Sequence, residues 1–144
     1  MGSTGRSDGS PRLFRIDVPA IDCFFSGTGD MFAALTVVRL REAVTDAGLG
    51  SVTSWLSPDD VDAIELPLAK AAEKVLASMH AVLQRTKQAR DEALERVGKS
   101  SGQSEGNEKD MYLLQTKAAE VRLVRNMPDM RWPRVQYRAK PLDL

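Results

Sequence analysis

One long amphipathic stretch, residues 67–97, constrains the fold more than any other feature of the sequence. Pro67 suits the first turn of a helix, and apolar side chains then recur every three or four positions, with Lys, Glu, Gln and Arg opposite. The pattern predicts a helix about 46 Å long at the usual rise per residue. A chain of 144 residues seldom needs so long a helix. We therefore expect it to lie across a sheet broader than this chain supplies.

The overall charge of the chain excludes two classes of partner. Twenty Lys and Arg residues balance twenty Asp and Glu residues, so no basic field favours nucleic acid or an anionic membrane. No apolar run approaches the roughly 20 residues of a membrane span. A single cysteine, Cys23, cannot form an internal disulfide. We expect a cytoplasmic protein that binds neither nucleic acid nor membrane.

The remaining segments predict an α/β domain with two main helices and a few strands. Residues 1–12 are rich in Gly and Ser and are predicted to be flexible, so the domain is expected to occupy residues 13–144, with a second flexible loop at 98–107. Alternating apolar and polar residues predict a strand that ends near Pro19. Similar patterns predict an extended segment at 21–25, a strand at 120–125 and another within VQYRAKPL.

The stretch SGTGD, residues 26–30, is the candidate functional site. Gly27 and Gly29 allow backbone angles that other residues avoid, and the free N–H groups of a following helix can bind an anion. Asp30 would repel a resting phosphate, yet it could accept a proton from a hydroxyl group while the amides hold the transferred phosphoryl group. A tight turn with Asp in the first helical turn explains the same residues. GxGxxG and P-loop patterns are both absent.

Other reactive residues favour structural roles. His80 lies within the amphipathic stretch, without the Cys or carboxylate neighbours that would indicate a metal. Cys23 lies in an apolar context without a nearby positive charge in sequence, and is interpreted as a buried small side chain. An acidic cluster at 59–65 is interpreted as a solvated turn. No metal ligands are predicted.

The wider sequence around this turn, VPAIDCFFSGTGDMFAALTVVRL, resembles the glycine turn of ribokinase-like kinases, and pyridoxal kinases most closely. The following stretch, ELPLAKAAEKVLASMHAVLQRT, is similar to the next helix of that family, including the wording HAVLQRT. The resemblance runs from about Phe14 to the end of the chain and covers the C-terminal portion of the family's domain. It implies part of a three-layer α/β sandwich with an incomplete sheet.

The resemblance also implies a reaction and its residues. In the family, ATP phosphorylates pyridoxal and related B6 vitamers at the 5′-hydroxymethyl group, which makes Asp30 the general base. It further implies ATP and Mg²⁺ as cofactors, pyridoxal as the substrate partner, a homodimer, and metal ligands outside this chain. The residues that it assigns to the nucleotide are Gly27, Thr28, Gly29, Ile21 and Phe32.

Two alternatives accompany this assignment. Because only the last portion of the family's domain is matched, we expect a truncated chain that is inactive alone. One alternative is a non-catalytic fragment that associates with an intact kinase subunit. The other is a different ribokinase-like kinase, such as one for hydroxymethylpyrimidine, although the HAVLQRT wording favours pyridoxal kinase.

Overall fold

The computed structural model describes residues 1–52, 57–100, 113, 116–117 and 120–142. These residues form an α/β structure with an open antiparallel sheet, as in a partial α/β sandwich, which confirms the predicted fold class and its two main helices. The elements, in chain order, are strands β1 (Gly2–Gly5) and β2 (Pro11–Arg15), helix α1 (Thr28–Asp46), a 3₁₀ turn (Ala63–Glu65), helix α2 (Pro67–Ser100), a 3₁₀ turn (Val124–Asn126), helix α3 (Met127–Arg131) and strand β3 (Lys140–Leu142).

The sheet has the order β1-β2-β3, with Leu13 opposite Leu142 across the second pair. Composition predicted a flexible segment at residues 1–12, but residues 2–5 pair with β2 as an edge strand. The ring of Phe14 lies directly over Gly2, where any side chain would collide with it. This contact explains how a glycine-rich segment is accommodated in the sheet. The proposed domain boundary at residue 13 stays a prediction.

Helix α2 dominates the structure and confirms the helix predicted from Pro67. Its 34 residues span about 51 Å, and α1 packs along it. Helix α1 ends before Gly48, whose φ of 72° is the left-handed conformation typical of a helix stop. The buried apolar side chains of the two helices include Met31, Ala43, Val44, Ala69, Ala71, Val75 and Val82.

A second cluster joins the sheet to the start of α2. Phe14 of β2, Ala63 of the first 3₁₀ turn and Ala69 of α2 are all buried there. Around them, half-buried apolar side chains complete the cluster. The sheet therefore packs on the N-terminal third of α2, and the remaining length of α2 is left to contact α1 and the C-terminal segment.

Three predicted elements differ from the structure. The extended segment expected at 21–25 contains a turn, in which the Cys23 N–H donates to the Ile21 carbonyl at 2.8 Å. The strand expected at 120–125 is wrong, since Glu120 forms an isolated bridge and a 3₁₀ turn follows. The described sheet lies elsewhere and offers this segment no strand to pair with. Of the loop expected at 98–107, residues 98–100 continue α2, and residues 101–107 lie outside the described residues.

None of the helices in the described part of the chain combines the length and the apolar character needed to cross a bilayer.

Candidate functional site

The SGTGD turn places unpaired backbone donors at the start of α1. Gly27 precedes the helix with φ 83° and ψ 6°, a left-handed conformation that favours glycine. The first helical hydrogen bond runs from the Met31 N–H to the Gly27 carbonyl at 3.3 Å. Consequently the N–H groups of Thr28, Gly29 and Asp30 bond to no other described residue. They are free to bind an anion at the positive end of the helix dipole.

The space above this turn is open. A Cβ atom built on Gly27 or on Gly29 would have no heavy atom within 4 Å. An oxyanion can therefore approach the amides without displacing protein atoms. The three residues assigned to the anion hole, Gly27, Thr28 and Gly29, thus lie at the start of α1 with open space at the two glycines. Their roles stay predictions.

The Asp30 side chain lies beside these donors. It is exposed in the first turn of α1, and no described residue forms a hydrogen bond or ion pair with its carboxylate. The helix dipole stabilises a negative charge at this position. Asp30 is therefore available to accept a proton from a hydroxyl group held near the amides.

Two contacts hold the segment that leads into the turn. The Val121 N–H donates to the Ser26 carbonyl at 3.4 Å, which ties the turn to the C-terminal part of the chain. The Arg90 guanidinium donates to the Cys23 sulfur at 3.0 Å, which ties the same segment to α2. The interpretation of Cys23 as a buried side chain is therefore wrong, since it is only partly buried and has a cationic neighbour in space. Its partner lies 67 residues away in sequence, where no local pattern reveals it.

Ile21 and Phe32, the two other residues assigned to the nucleotide, are not brought together. Ile21 lines a large groove beside α2. Phe32 is half exposed and lines a separate apolar cavity of about 220 Å³, together with Phe14 and Leu68. Each of the two side chains thus lines a different pocket.

Asp59, in the acidic cluster between α1 and α2, has a structural role. Asp59 accepts hydrogen bonds from the backbone N–H of Ser7, at 2.9 Å, and from its hydroxyl group. These bonds hold the pKa of Asp59 below its usual value. In the described ranges, no three His, Cys, Asp or Glu side chains converge as metal ligands would. The described residues therefore do not by themselves supply a ligand set for Mg²⁺.

Comparison with known proteins gives one sequence relationship and no family-model match. The relationship is with a kinase-like protein. The chain is 32% identical over 120 residues to a protein of Schizosaccharomyces pombe (strain 972) named "Putative pyridoxal kinase". The aligned residues cover 82% of this chain and 31% of that protein, so the chain spans about a third of the length of this relative. This similarity supports, at low identity, the relationship to pyridoxal kinases indicated by the motifs.

Proposed function

We propose that the SGTGD turn is the phosphoryl-transfer element of an ATP-dependent pyridoxal kinase, whose product is a B6 vitamer phosphorylated at its 5′-hydroxymethyl group. One observation carries the proposal: three unpaired amides and one unpaired carboxylate share the first turn of α1. Phosphoryl transfer needs both groups within reach of the same oxygen atoms. The likeness to the fission yeast protein supports pyridoxal as the acceptor.

Each group has a defined part in the reaction. Bound ATP would supply the phosphoryl group. Asp30 accepts the proton of the substrate hydroxyl group, and the freed oxygen forms a bond to the γ-phosphorus as the bond to the β–γ bridging oxygen breaks. The amides of Thr28 and Gly29 donate hydrogen bonds to the γ-phosphoryl oxygens, where negative charge is concentrated. Gly27 supplies the left-handed backbone conformation from which the helix and its free amides begin.

The turn alone does not fix the substrate. Transfer requires the hydroxyl group, the phosphorus atom and the base to be held in one geometry. Ile21 and Phe32 lie in separate cavities, and the chain matches 31% of its relative. We therefore expect the isolated chain to form no pyridoxal 5′-phosphate when it is mixed with ATP, Mg²⁺ and pyridoxal.

The test of Asp30 requires a complete kinase. We would replace the matching segment of the fission yeast relative with residues 14–142 and measure pyridoxal phosphorylation by the chimera, with hydroxymethylpyrimidine as a second acceptor. Asp30→Asn should lower kcat by roughly 10²–10⁴-fold, while ATP binding stays nearly unchanged. Asp46→Asn, at the exposed far end of α1, is the matched control. Normal turnover by the Asp30→Asn chimera would remove Asp30 as the base, and preference for hydroxymethylpyrimidine would change the substrate.

A second candidate function is non-catalytic association with a kinase polypeptide. It is favoured by apolar side chains that α1 and the preceding segment leave in solvent: Phe24 is 77% exposed, Val37 71% and Val38 54%. Exposed apolar groups of this size commonly mark contact surfaces. The relative has more than twice as much chain outside the match as within it, and this unmatched part is the proposed occupant of the surface.

Co-expression separates the two candidates. The chain would be produced together with the intact fission yeast relative and analysed by size-exclusion chromatography. Co-elution that is abolished by Val37→Glu with Val38→Glu, and retained with Asp46→Asn at the exposed far end of α1, supports association. Elution of the chain by itself contradicts it and leaves the catalytic proposal untouched.

A further inference from the structure

A cavity of about 310 Å³ lies where the sheet meets the first 3₁₀ turn. Its lining comes from the turn that joins β1 to β2, from β2 and β3, and from the start of the 3₁₀ turn. This volume is enough for a small molecule. None of the lining residues belongs to the SGTGD turn, and none is assigned to the nucleotide. The cavity is therefore separate from the proposed reaction.

Arg12 of β2 places a buried positive charge beside this cavity. It is 4% exposed, and its guanidinium donates, at 2.7 to 3.0 Å, to three backbone carbonyl groups, those of Gly5, Pro58 and Val61. Its Nε atom has no hydrogen-bond partner among the described residues, and no carboxylate in the described part of the chain forms an ion pair with it. The carboxylate of Asp59, next in sequence to one of these carbonyl groups, bonds to Ser7 instead. Because a buried charge without a counter-ion is unfavourable, the cavity favours a negatively charged group.

Arg6, at the rim of the cavity, has the guanidinium that can bind such a group directly. Its Nη1 atom donates to the Ser10 hydroxyl at 3.3 Å and to the Pro11 carbonyl at 3.1 Å, which holds the side chain in place. Its Nε and Nη2 atoms bond to no described residue, and the side chain is exposed. Two N–H groups on one edge of a guanidinium match the two oxygen atoms of a carboxylate.

The same cavity also contains an acidic group and an apolar wall. Asp62 lines it, is exposed, and forms no side-chain hydrogen bond at the start of the 3₁₀ turn. A plain anion bound at Arg6 would be repelled by this carboxylate, whereas a positively charged group would be attracted to it. Leu13 and Leu142, which face each other across β2 and β3, line the cavity as well. The cavity thus combines positive, negative and apolar surface.

We propose that this cavity binds an α-amino acid with an aliphatic side chain, in its zwitterionic form. The carboxylate of the amino acid pairs with Arg6 and is attracted by the buried charge of Arg12. Its ammonium group pairs with Asp62. The aliphatic side chain packs on Leu13 and Leu142, where it leaves water.

The test is an NMR titration of the ¹⁵N-labelled chain, followed through the backbone amides of Leu13 and Ala63. The probes are L-leucine, isocaproate, which lacks the ammonium group, and isoamylamine, which lacks the carboxylate. We expect saturable shifts with L-leucine, clustered around the cavity, and weaker binding of both analogues. Arg6→Gln should weaken the binding of L-leucine and of isocaproate by roughly three- to fivefold, as expected for an exposed ion pair.

Asp62→Asn separates the zwitterion from a plain anion. This change should weaken the binding of L-leucine by roughly three- to fivefold, because the ammonium group loses its partner, and should strengthen that of isocaproate, because a repulsion is removed. Any other pattern would overturn the pairing of the ammonium group with Asp62. Arg6 and Asp62 are both exposed, so their replacement leaves the core intact.

The matched controls are Arg125→Gln and Asp46→Asn, which remove exposed charges that do not line the cavity. Neither should change the binding of L-leucine. Effects equal to those of Arg6→Gln and Asp62→Asn would reduce the result to general charge and overturn the site. The absence of any saturable shift with L-leucine would overturn the proposal outright.

Discussion

The two sides of α2 are covered by different segments and through different contacts. On one side, the C-terminal segment is attached to α2 by specific polar contacts: Glu73 accepts from the Ala139 N–H at 2.8 Å and from Arg138 at 2.9 Å, and Ser78 donates to the Asp129 carbonyl. On the other side, α1 covers α2 but turns Val37 and Val38 toward solvent. The first side is therefore closed by polar contacts, whereas the second ends in exposed apolar side chains on α1.

Arg39 extends the same contrast through α1 itself. Its buried guanidinium pairs with Glu42 at 2.7 Å and donates to the carbonyls of Met130 and Arg131 at the end of α3. Arg39 therefore fixes the inward face of α1 to α3 by charged hydrogen bonds, which are stronger than neutral ones. The outward face of α1 has apolar groups of the kind that a further layer would cover. The two faces of α1 therefore differ: the inward one is bonded to α3, and the outward one leaves Val37 and Val38 exposed.

The largest expected effect concerns Glu73, which holds the C-terminal segment against α2. Its side chain is nearly fully buried, and it satisfies both the Ala139 amide and the Arg138 guanidinium. Glu73→Ala would leave that amide without its partner, so we expect the free energy of unfolding to fall by roughly 2–3 kcal/mol. Urea denaturation followed by circular dichroism at 222 nm measures the loss.

Glu92→Ala is the matched control for this change. Glu92 lies on the exposed surface of the same helix, where it pairs with Arg96 at 3.5 Å, and such a pair contributes at most about 0.5 kcal/mol. Glu73→Gln, which keeps one acceptor oxygen, should fall between the two variants. Equal losses in the free energy of unfolding for Glu73→Ala and Glu92→Ala would mean that apolar packing alone holds the C-terminal segment against α2.

The sequence allowed the helices and the glycine turn to be predicted because their signals are local. Pro67 and the apolar repeat after it mark α2, and the two glycines of the SGTGD turn mark the start of α1. The pattern EVRLVR failed as a strand because alternation describes one strand only, whereas a sheet also requires a neighbour. On α1, the structure exposes Val38 and buries Arg39, the reverse of what their polarity alone would predict.

The candidate site likewise has one part that the local sequence predicted and another that it did not. Gly27 and Asp30 are three residues apart, so sequence spacing was enough to place the amides and the carboxylate together. The groove beside α2 depends on pairs such as His80 with Tyr137, which are 57 residues apart. No periodicity records such a pair. Contacts of this range are decided by how the whole chain packs, and they became visible only in the structure.

A smaller effect is expected from the outward face of α1. Val37→Glu and Val38→Glu replace β-branched, solvent-exposed residues by a better helix former. In the isolated chain we expect the free energy of unfolding to change by less than about 0.5 kcal/mol. Val44→Ala on the inner face, where Val44 is 1% exposed, should cost more than about 1 kcal/mol. Thermal melts of the three variants check this, and a large loss for Val37→Glu would show that the outward face is already covered.

The smallest expected effect is a pH dependence of stability at the edge of the sheet. It tests whether exposed charges also help to hold the C-terminal segment in place. Lys140 Nζ in β3 donates to Asp17 Oδ2 at 3.1 Å, and Arg15 Nε lies 3.8 Å from the same oxygen. The hydrogen bond from Lys140 holds the pKa of Asp17 below its usual 3.8.

Because the folded-state pKa is the lower one, the charged carboxylate stabilises the fold at pH values above the unfolded pKa, and this contribution is lost as the pH falls through the folded pKa. The melting temperature of Asp17→Asn should therefore lie slightly below that of the wild type at pH 7, and the two should converge once the pH falls below the folded-state pKa of Asp17. High salt should shrink the difference at pH 7, since both groups are exposed, and Lys140→Gln should remove most of it. A difference that persists at low pH and in Lys140→Gln would show that Asp17 acts through packing rather than through its charge.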